Sequence, residues 1–162
     1  MVQPRKISCG VVVTDGHHLL LGHASRSPRW DIPKGLTEPG EPYLDAAARE
    51  LKEEIGLIIE PKVLIPLGLH PYLRDKDLAL FGWCPSEMPS PDRLYCSSFI
   101  DRPGYAQIPE LDRFGIFAFE TALAMVGKNL ARVLKDVWPV VVERSGGPGP
   151  TQQPAGCCFG HF

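Results

Sequence analysis

The stretch GLTEPGEPYLDAAARELKEEIGL, Gly35 to Leu57, decides how the rest of the chain is read. It opens with a glycine- and proline-marked loop carrying Glu41 and continues into a short helix. Pro42 suits the first helical turn, where a missing N–H costs nothing. Leu44, Ala47, Ala48, Leu51 and Ile55 recur at helical spacing and form the predicted buried stripe. Arg49, Glu50, Glu53 and Glu54 are left to a different side, facing solvent or a ligand. Gly56 is the predicted stop. The charges on this helix oppose one another. Glu50 stands three and four residues before Glu53 and Glu54, so the three carboxylates share a face and repel. The helix dipole also disfavours negative charge at this end. Only Arg49 and Lys52 offset it. A solvated face of ion pairs is the bland alternative, but the crowding, the helix-end placement and the loop in front favour a cation site.

On the N-terminal side, residues 7–13 (ISCGVVV) are β-branched and predict a strand. Thr14-Asp15-Gly16 is turn chemistry, and His18 to Gly22 returns as the second arm of a hairpin, with His17 and His18 at the solvated turn. Trp30-Asp31-Ile32-Pro33-Lys34-Gly35 predicts one short strand ending in a turn. On the C-terminal side, residues 57–72 suit one or two strands, Arg74 to Asp77 a hairpin tip, and Leu78 to Cys84 a buried strand. Five prolines between Pro85 and Pro109 predict a long irregular excursion of the kind that forms lids or binding loops. Residues 114–119 predict a strand. Glu120 to Trp138 predicts a helix that Gly127 divides and Pro139 closes. Residues 144–162, with their GGPGP run, read as a disordered Gly/Pro-rich tail, leaving one domain over 1–143. The element order implies an α/β (α+β) fold, a mixed β-sheet between helices.

The chain of 162 residues is long enough for one real core. Its hydrophobic content of 44%, charged content of 22% and net charge of −2 are those of an ordinary soluble domain. That charge gives no electrostatic case for a polyanion-binding face of the kind nucleic acid requires, and no apolar run approaches a membrane span. The N-terminus has no signal-peptide core. The five cysteines are scattered, odd in number and without a C-x-x-C pair, so they read as reduced thiols of a cytoplasmic protein. The histidines supply no convincing zinc spacing.

Carboxylates on one helix face suit Mg²⁺ or Mn²⁺, hard cations that take oxygen ligands and complete their shells with water and substrate phosphate. Such ions neutralise phosphate charge, hold it in line and lower the pKa of a bound water for attack on phosphorus. Arg49, one residue before Glu50 and four before Glu53, is placed to orient these carboxylates rather than to touch substrate.

These residues resemble the Nudix box, G-x5-E-x7-R-E-U-x-E-E-x-G-U, where U is aliphatic. Gly35, Glu41, Arg49, Glu50, Leu51, Glu53, Glu54, Gly56 and Leu57 fill every fixed position. A chance match at one start point is on the order of one in a billion or rarer. The looser resemblance to the Nudix (MutT-like) superfamily covers roughly residues 5–140 and implies a Nudix-type α/β/α sandwich. It further implies hydrolysis of a nucleoside diphosphate linked to another moiety, with divalent cations. Glu50, Glu53 and Glu54 match the metal-binding glutamates, Glu50 is a candidate general base, and Arg49 and Glu41 match the supporting pair. A backbone carbonyl near Lys34 or Gly35 completes a metal shell in many members. Glu110 is the first candidate for a further catalytic acid from a loop after the box, ahead of Asp112 and Asp101.

Lys34, in W-x-x-P-K-G, looks like the entry of dinucleoside polyphosphate and diphosphoinositol polyphosphate hydrolases, where it would bind a distal phosphate as a point charge. It counts against enzymes that clean up oxidised guanine nucleotides, which more often carry glycine there. Tyr72 lies close to where an aromatic stacks on a base in dinucleoside polyphosphate hydrolases, and Pro71 close to a marker of ADP-ribose hydrolases. Trp30 is either a base platform or a lid on the core, and Tyr72 is equally suited to hairpin packing. The expected substrate is a dinucleoside polyphosphate such as diadenosine tetraphosphate. ADP-ribose or a nucleotide sugar is the alternative. A non-catalytic Nudix-fold ligand sensor is a third reading, disfavoured because no box glutamate is lost. Expected partners are small-molecule nucleotides, with neither nucleic acid nor membrane. The oligomeric state stays open, a homodimer included.

Overall fold

The computed structural model describes residues 3–104 and 107–146. Seven strands and three helices are ordered along the chain as β1 (Lys6–Val13), β2 (His18–Ala24), β3 (Trp30–Asp31), β4 (Lys34–Leu36), α1 (Tyr43–Ile55), β5 (Ile65–Leu73), β6 (Lys76–Trp83), β7 (Leu111–Ala118), α2 (Phe119–Met125) and α3 (Lys128–Arg144). The strands form two sheets. One is mixed, in the order β4-β1-β6-β5, with β1 and β6 parallel, and the other is antiparallel, in the order β3-β2-β7. The architecture is the expected mixed sheet with helices on either side, and the second sheet is an addition to it.

Alternation along the strands assigns the layers. Cys9, Val11 and Val13 of β1, Leu20 of β2, and Ala79 and Phe81 of β6 pack with Ala46, Ala47, Leu51 and Ile55 of α1. The intervening residues Val12, Leu19, Leu21, Leu78 and Leu80 pack with Leu130, Val133, Leu134, Val137 and Val141 of α3. Each of these strands is therefore apolar on both faces, which is why it reads as a continuous hydrophobic run.

Several local expectations need correction. The first two strands follow one another through a tight turn, in which Asp15 Oδ1 accepts from the N–H groups of His17 and His18 at 2.8 and 2.7 Å. They do not form an extended hairpin. Their pairing stops at the single bridge between Thr14 and Leu19, and each strand enters a different sheet. The segment Trp30 to Gly35 likewise splits, β3 joining β2 and β4 joining β1, with Ile32 fully buried at the crossing. Pro139 does not close the last helix. It sits on the exposed face of α3, so one hydrogen bond is forgone while the apolar stripe continues to Val141 and the helix to Arg144. Gly127 does divide α2 from α3. At the start of the tail expected from residue 144, α3 runs to Arg144 and Ser145 caps it; the rest of that expectation falls on residues 147–162, outside the described residues. No helix among the described residues is long and apolar enough to cross a membrane.

Candidate active site

The loop and helix that opened the sequence reading fold back on each other through Arg49. Its Nε and Nη2 grip the two oxygens of Glu41 at 2.9 Å each, and Nη2 also donates to the Leu36 carbonyl at 3.0 Å. Its Nη1 donates to Glu50 Oε1 at 2.8 Å and to Glu53 Oε2 at 3.3 Å. The guanidinium thus joins loop, strand and helix in one planar fork. The Arg49 hydrogen bond, reinforced by the Glu38 N–H, holds the Glu41 carboxyl down at about 2. Arg49 thus makes the charge-assisted hydrogen bonds to these carboxylates that its spacing implied.

Glu50 and Glu54 are buried, at 6% and 4% exposure, so of the two readings, solvent or ligand, they do not face open solvent, and Glu50 lines the cleft described below. They face β4, where Gly35 leaves them room: a Cβ at that position would land on the Glu50 carboxylate. Burial raises the Glu50 pKa against the pull of Arg49. Burial also pushes Glu54 up to about 9, with Lys34 opposing and Glu110 and Glu50 adding to the rise. Glu54 Oε1 accepts the Lys34 backbone N–H at 3.3 Å. Gly56 adopts φ 78° and ends the helix as predicted, its N–H returning to the Lys52 carbonyl at 3.0 Å.

The proline-rich excursion is strapped across the end of α1. The Ser97 N–H and hydroxyl both donate to the Glu53 carbonyl, at 2.7 and 3.1 Å, and the Tyr95 N–H reaches the Ile55 carbonyl at 3.3 Å. These are helix-end carbonyls with no partner inside the helix. The Glu110 N–H then donates to the Ser98 carbonyl at 2.8 Å, bringing this loop acid to the box. Burial raises its pKa, against a hydrogen bond from Ser98.

A cleft of about 340 Å³ is lined by Glu50, Glu53 and Glu110 together with Gly35, Leu36, Lys34, Ser8, Lys76 and Ser98. Of the residues singled out in the sequence, it gathers Lys34, Gly35, Glu50, Glu53 and Glu110. Glu54 lies behind Lys34. Asp112 is engaged elsewhere, with His23 at 2.7 Å, and Asp101 does not line the cleft. Lys34 Nζ pairs with Asp31 at 2.8 Å and lies 5.9 Å from the centroid of the Tyr72 ring. Burial opposes its charge, but Asp31 and Tyr72 raise its pKa. Tyr72 is half-buried against the α3 core, and Trp30 is wedged between His23 and Phe117, at 5.3 and 5.0 Å between ring centroids, outside the cleft. Ser8, Lys76 and Ser98 were missed. Lys76 had been placed in a hairpin tip that occupies only Arg74 and Asp75.

Among the described residues no three His, Cys, Asp or Glu side chains converge closely enough to be a ready-made cation cage. Glu50 and Glu53 are instead held on Arg49. The donor set nevertheless fits a hard divalent ion: it is all carboxylate, two of its members are buried and mutually repelling, and Glu53 and Glu110 are open enough to rotate inward.

A family model described as NUDIX domain matches residues 4–112. Over 71 residues the chain is 41% identical to an 8-oxo-dGDP phosphatase of Homo sapiens, covering 40% of this chain and 22% of that one. Over 56 residues it is 41% identical to an RNA pyrophosphohydrolase of Ruthia magnifica subsp. Calyptogena magnifica, covering 34% and 31%. In each case the matched stretch is less than half the length of the curated relative. Among solved structures, a C. elegans Ap4A hydrolase binary complex superposes with TM-score 0.59 at 20% identity, over 85% of this chain and 98% of that one. That likeness concerns the fold.

Proposed function

The chain belongs to the NUDIX domain family, and from that premise we propose that it is a divalent-cation-dependent hydrolase of a pyrophosphate linkage in a nucleoside diphosphate derivative, with a dinucleoside polyphosphate such as diadenosine tetraphosphate as favoured substrate. The observation that carries the reaction class is the cleft itself, whose lining brings three carboxylates together with two lysines. Glu50, Glu53 and Glu54, with the Gly35 carbonyl, are the residues that would hold Mg²⁺ or Mn²⁺. The ion supplies charge neutralisation at the phosphates and acidifies a bound water. Arg49 keeps Glu50 and Glu53 in register. Glu110 is the acid that the loop after the box contributes to the cleft lining, and its raised pKa suits a proton acceptor. Lys34 remains charged at the cleft and neutralises distal phosphate in competition with Asp31.

The preference for a dinucleoside polyphosphate rests on Lys34, which lines the cleft, and on the Tyr72 ring whose centroid lies 5.9 Å from its ammonium. A second reading, an oxidised guanine nucleotide, is favoured by the named activity of the human relative. Turnover of diadenosine tetraphosphate, ADP-ribose, 8-oxo-dGTP and a 5′-triphosphorylated RNA with Mg²⁺, with products identified in ¹⁸O-water, tests both. Turnover of ADP-ribose or 8-oxo-dGTP with none of the dinucleoside compound overturns the substrate assignment. Absence of metal-dependent turnover across the panel overturns the reaction class and favours the sensor.

A further inference from the structure

The two lysines of the cleft are not equivalent. The register pairs Ser8 with Leu36 and with Leu78, and Gly10 with Lys34, so Lys34 and Lys76 project from the same face of the mixed sheet. Lys34 is neutralised by Asp31 at 2.8 Å. Lys76 lines the cleft with Glu50, Glu53 and Glu110 yet makes no salt bridge among the described residues. Partial burial and the Lys34 charge both disfavour its ammonium form. An anion entering the cleft relieves that disfavour.

Lys76 is the first residue of β6, immediately after a two-residue turn, a place where a strand end would ordinarily fray. Here it is clamped. Arg5, just before β1, donates from Nε to Asp77 Oδ1 at 2.8 Å, from Nη1 to the Arg74 carbonyl at 2.8 Å, and from Nη2 to the carbonyls of Leu73 and Lys76 at 3.0 and 3.2 Å. The Lys6 N–H adds a bond to the Asp75 carbonyl at 2.9 Å. One guanidinium therefore reads every residue of the turn on either side of Asp75. Four hydrogen bonds from one half-exposed side chain thus hold a single turn, and the residue that follows this turn is the lysine of the cleft that makes no salt bridge among the described residues.

We propose that Lys76 is a phosphate-binding residue of the cleft, and that Arg5 is the positioning residue that fixes the β5–β6 turn so that Lys76 reaches it. The proposal rests on the pyrophosphohydrolase reading for its ligand class, a pyrophosphate-containing anion.

Binding of imidodiphosphate in Mg²⁺ to the full chain, measured by calorimetry, tests it apart from turnover. Lys76→Ala is expected to weaken binding about tenfold or more, the loss of one charge-assisted contact, and Lys76→Arg to restore most of it. Arg5→Gln and Arg5→Lys both lose the fork and are expected to weaken binding several-fold, by roughly 1 power of ten at most. In the Lys76→Ala background, Arg5→Gln is expected to add nothing. Thermal melts of each variant separate this from unfolding. Lys76→Ala binding within twofold of the parent protein, or no binding by the parent at millimolar ligand, overturns the proposal. An Arg5→Gln loss that is equally large in the Lys76→Ala background overturns the positioning role. Lys76-dependent binding without turnover of any substrate in the panel leaves this proposal standing and removes the hydrolase reading instead.

Discussion

The two walls of the cleft are built in opposite ways. The acidic wall comes from one continuous stretch, and its ties are short: Arg49 reaches Glu41 eight residues away and Glu53 four residues away. The facing wall is assembled from distant parts. Arg5 holds Asp77 across 72 residues, and Ser97 holds the Glu53 carbonyl across 44. The acidic wall is also crowded with charge it cannot neutralise by itself, whereas the facing wall carries a single unmatched cation. The difference teaches that chemistry and selectivity are separable here. The Arg49 fork orders Glu41, Glu50 and Glu53 through contacts within one stretch, while the placing of Lys76 and of Glu110 depends on the tertiary fold.

Four perturbations break or sharpen that contrast. The largest effect is expected from Glu53→Gln with Glu54→Gln, which leaves the local scaffold of Arg49 and Glu41 intact. Metal-dependent turnover should fall by about a thousandfold or more, with the fold retained by circular dichroism. Unchanged activity would show that the acidic wall is not the reaction centre. Next is Arg49→Ala, which leaves the buried Glu50 carboxylate without its partner. A stability loss of about 2–3 kcal/mol in urea denaturation is expected, the partial exposure of the pair discounting the full buried value. A loss below half of that would mean the loop and helix are held by packing alone.

The remaining two are pH effects of opposite sign. The folded Glu41 pKa is lowered to about 2 from 4.5, so its ionisation stabilises the fold above pH 4.5 and that stabilisation is lost as pH falls towards 2. Glu41→Gln should therefore be less stable than the parent at neutral pH, with the gap closing below pH 4.5. Glu54 is raised to about 9, so in chelator its ionisation in the unfolded state favours unfolding progressively from pH 4.5 upward. Glu54→Gln should stabilise the chelated protein, by a margin that widens up to about pH 9 and reverses in sign or vanishes when Mg²⁺ is restored. A margin flat with pH would mean that the carboxylate is not desolvated in the apo fold.

Legibility in the sequence followed the same division. The helix, its glycine stop and the Arg49 fork were readable because they depend on neighbours within two helical turns. The paired strands β1 and β6 were readable as strands because their apolar runs have turn residues at either end, but their parallel pairing leaves no local trace. For Glu50 and Glu54 the helical pattern leaves solvent and ligand as alternatives, because it cannot reveal that the missing side chain at Gly35 makes room for a buried carboxylate. Pro139 was misjudged for a related reason. A proline's cost depends on which face it occupies, and burial of Val141 outweighed it. Lys76 looks like one charge in a polar tip, and only the tertiary fold brings it to the lining of the cleft. Trp30, by contrast, kept both of its readings until the aromatic neighbours His23 and Phe117 claimed it for packing.

The parallel partnership of β1 and β6 has a kinetic consequence. Lys6 pairs with Lys76, so the chain must close a loop of about 70 residues, with α1 inside it, before the facing wall exists. The local fork around Arg49 has no such wait. During refolding, affinity for a divalent ion should appear in an early phase and affinity for a phosphorylated ligand in a later one. A newly made chain would for a time be able to take up metal while still unable to hold anything for that metal to act on.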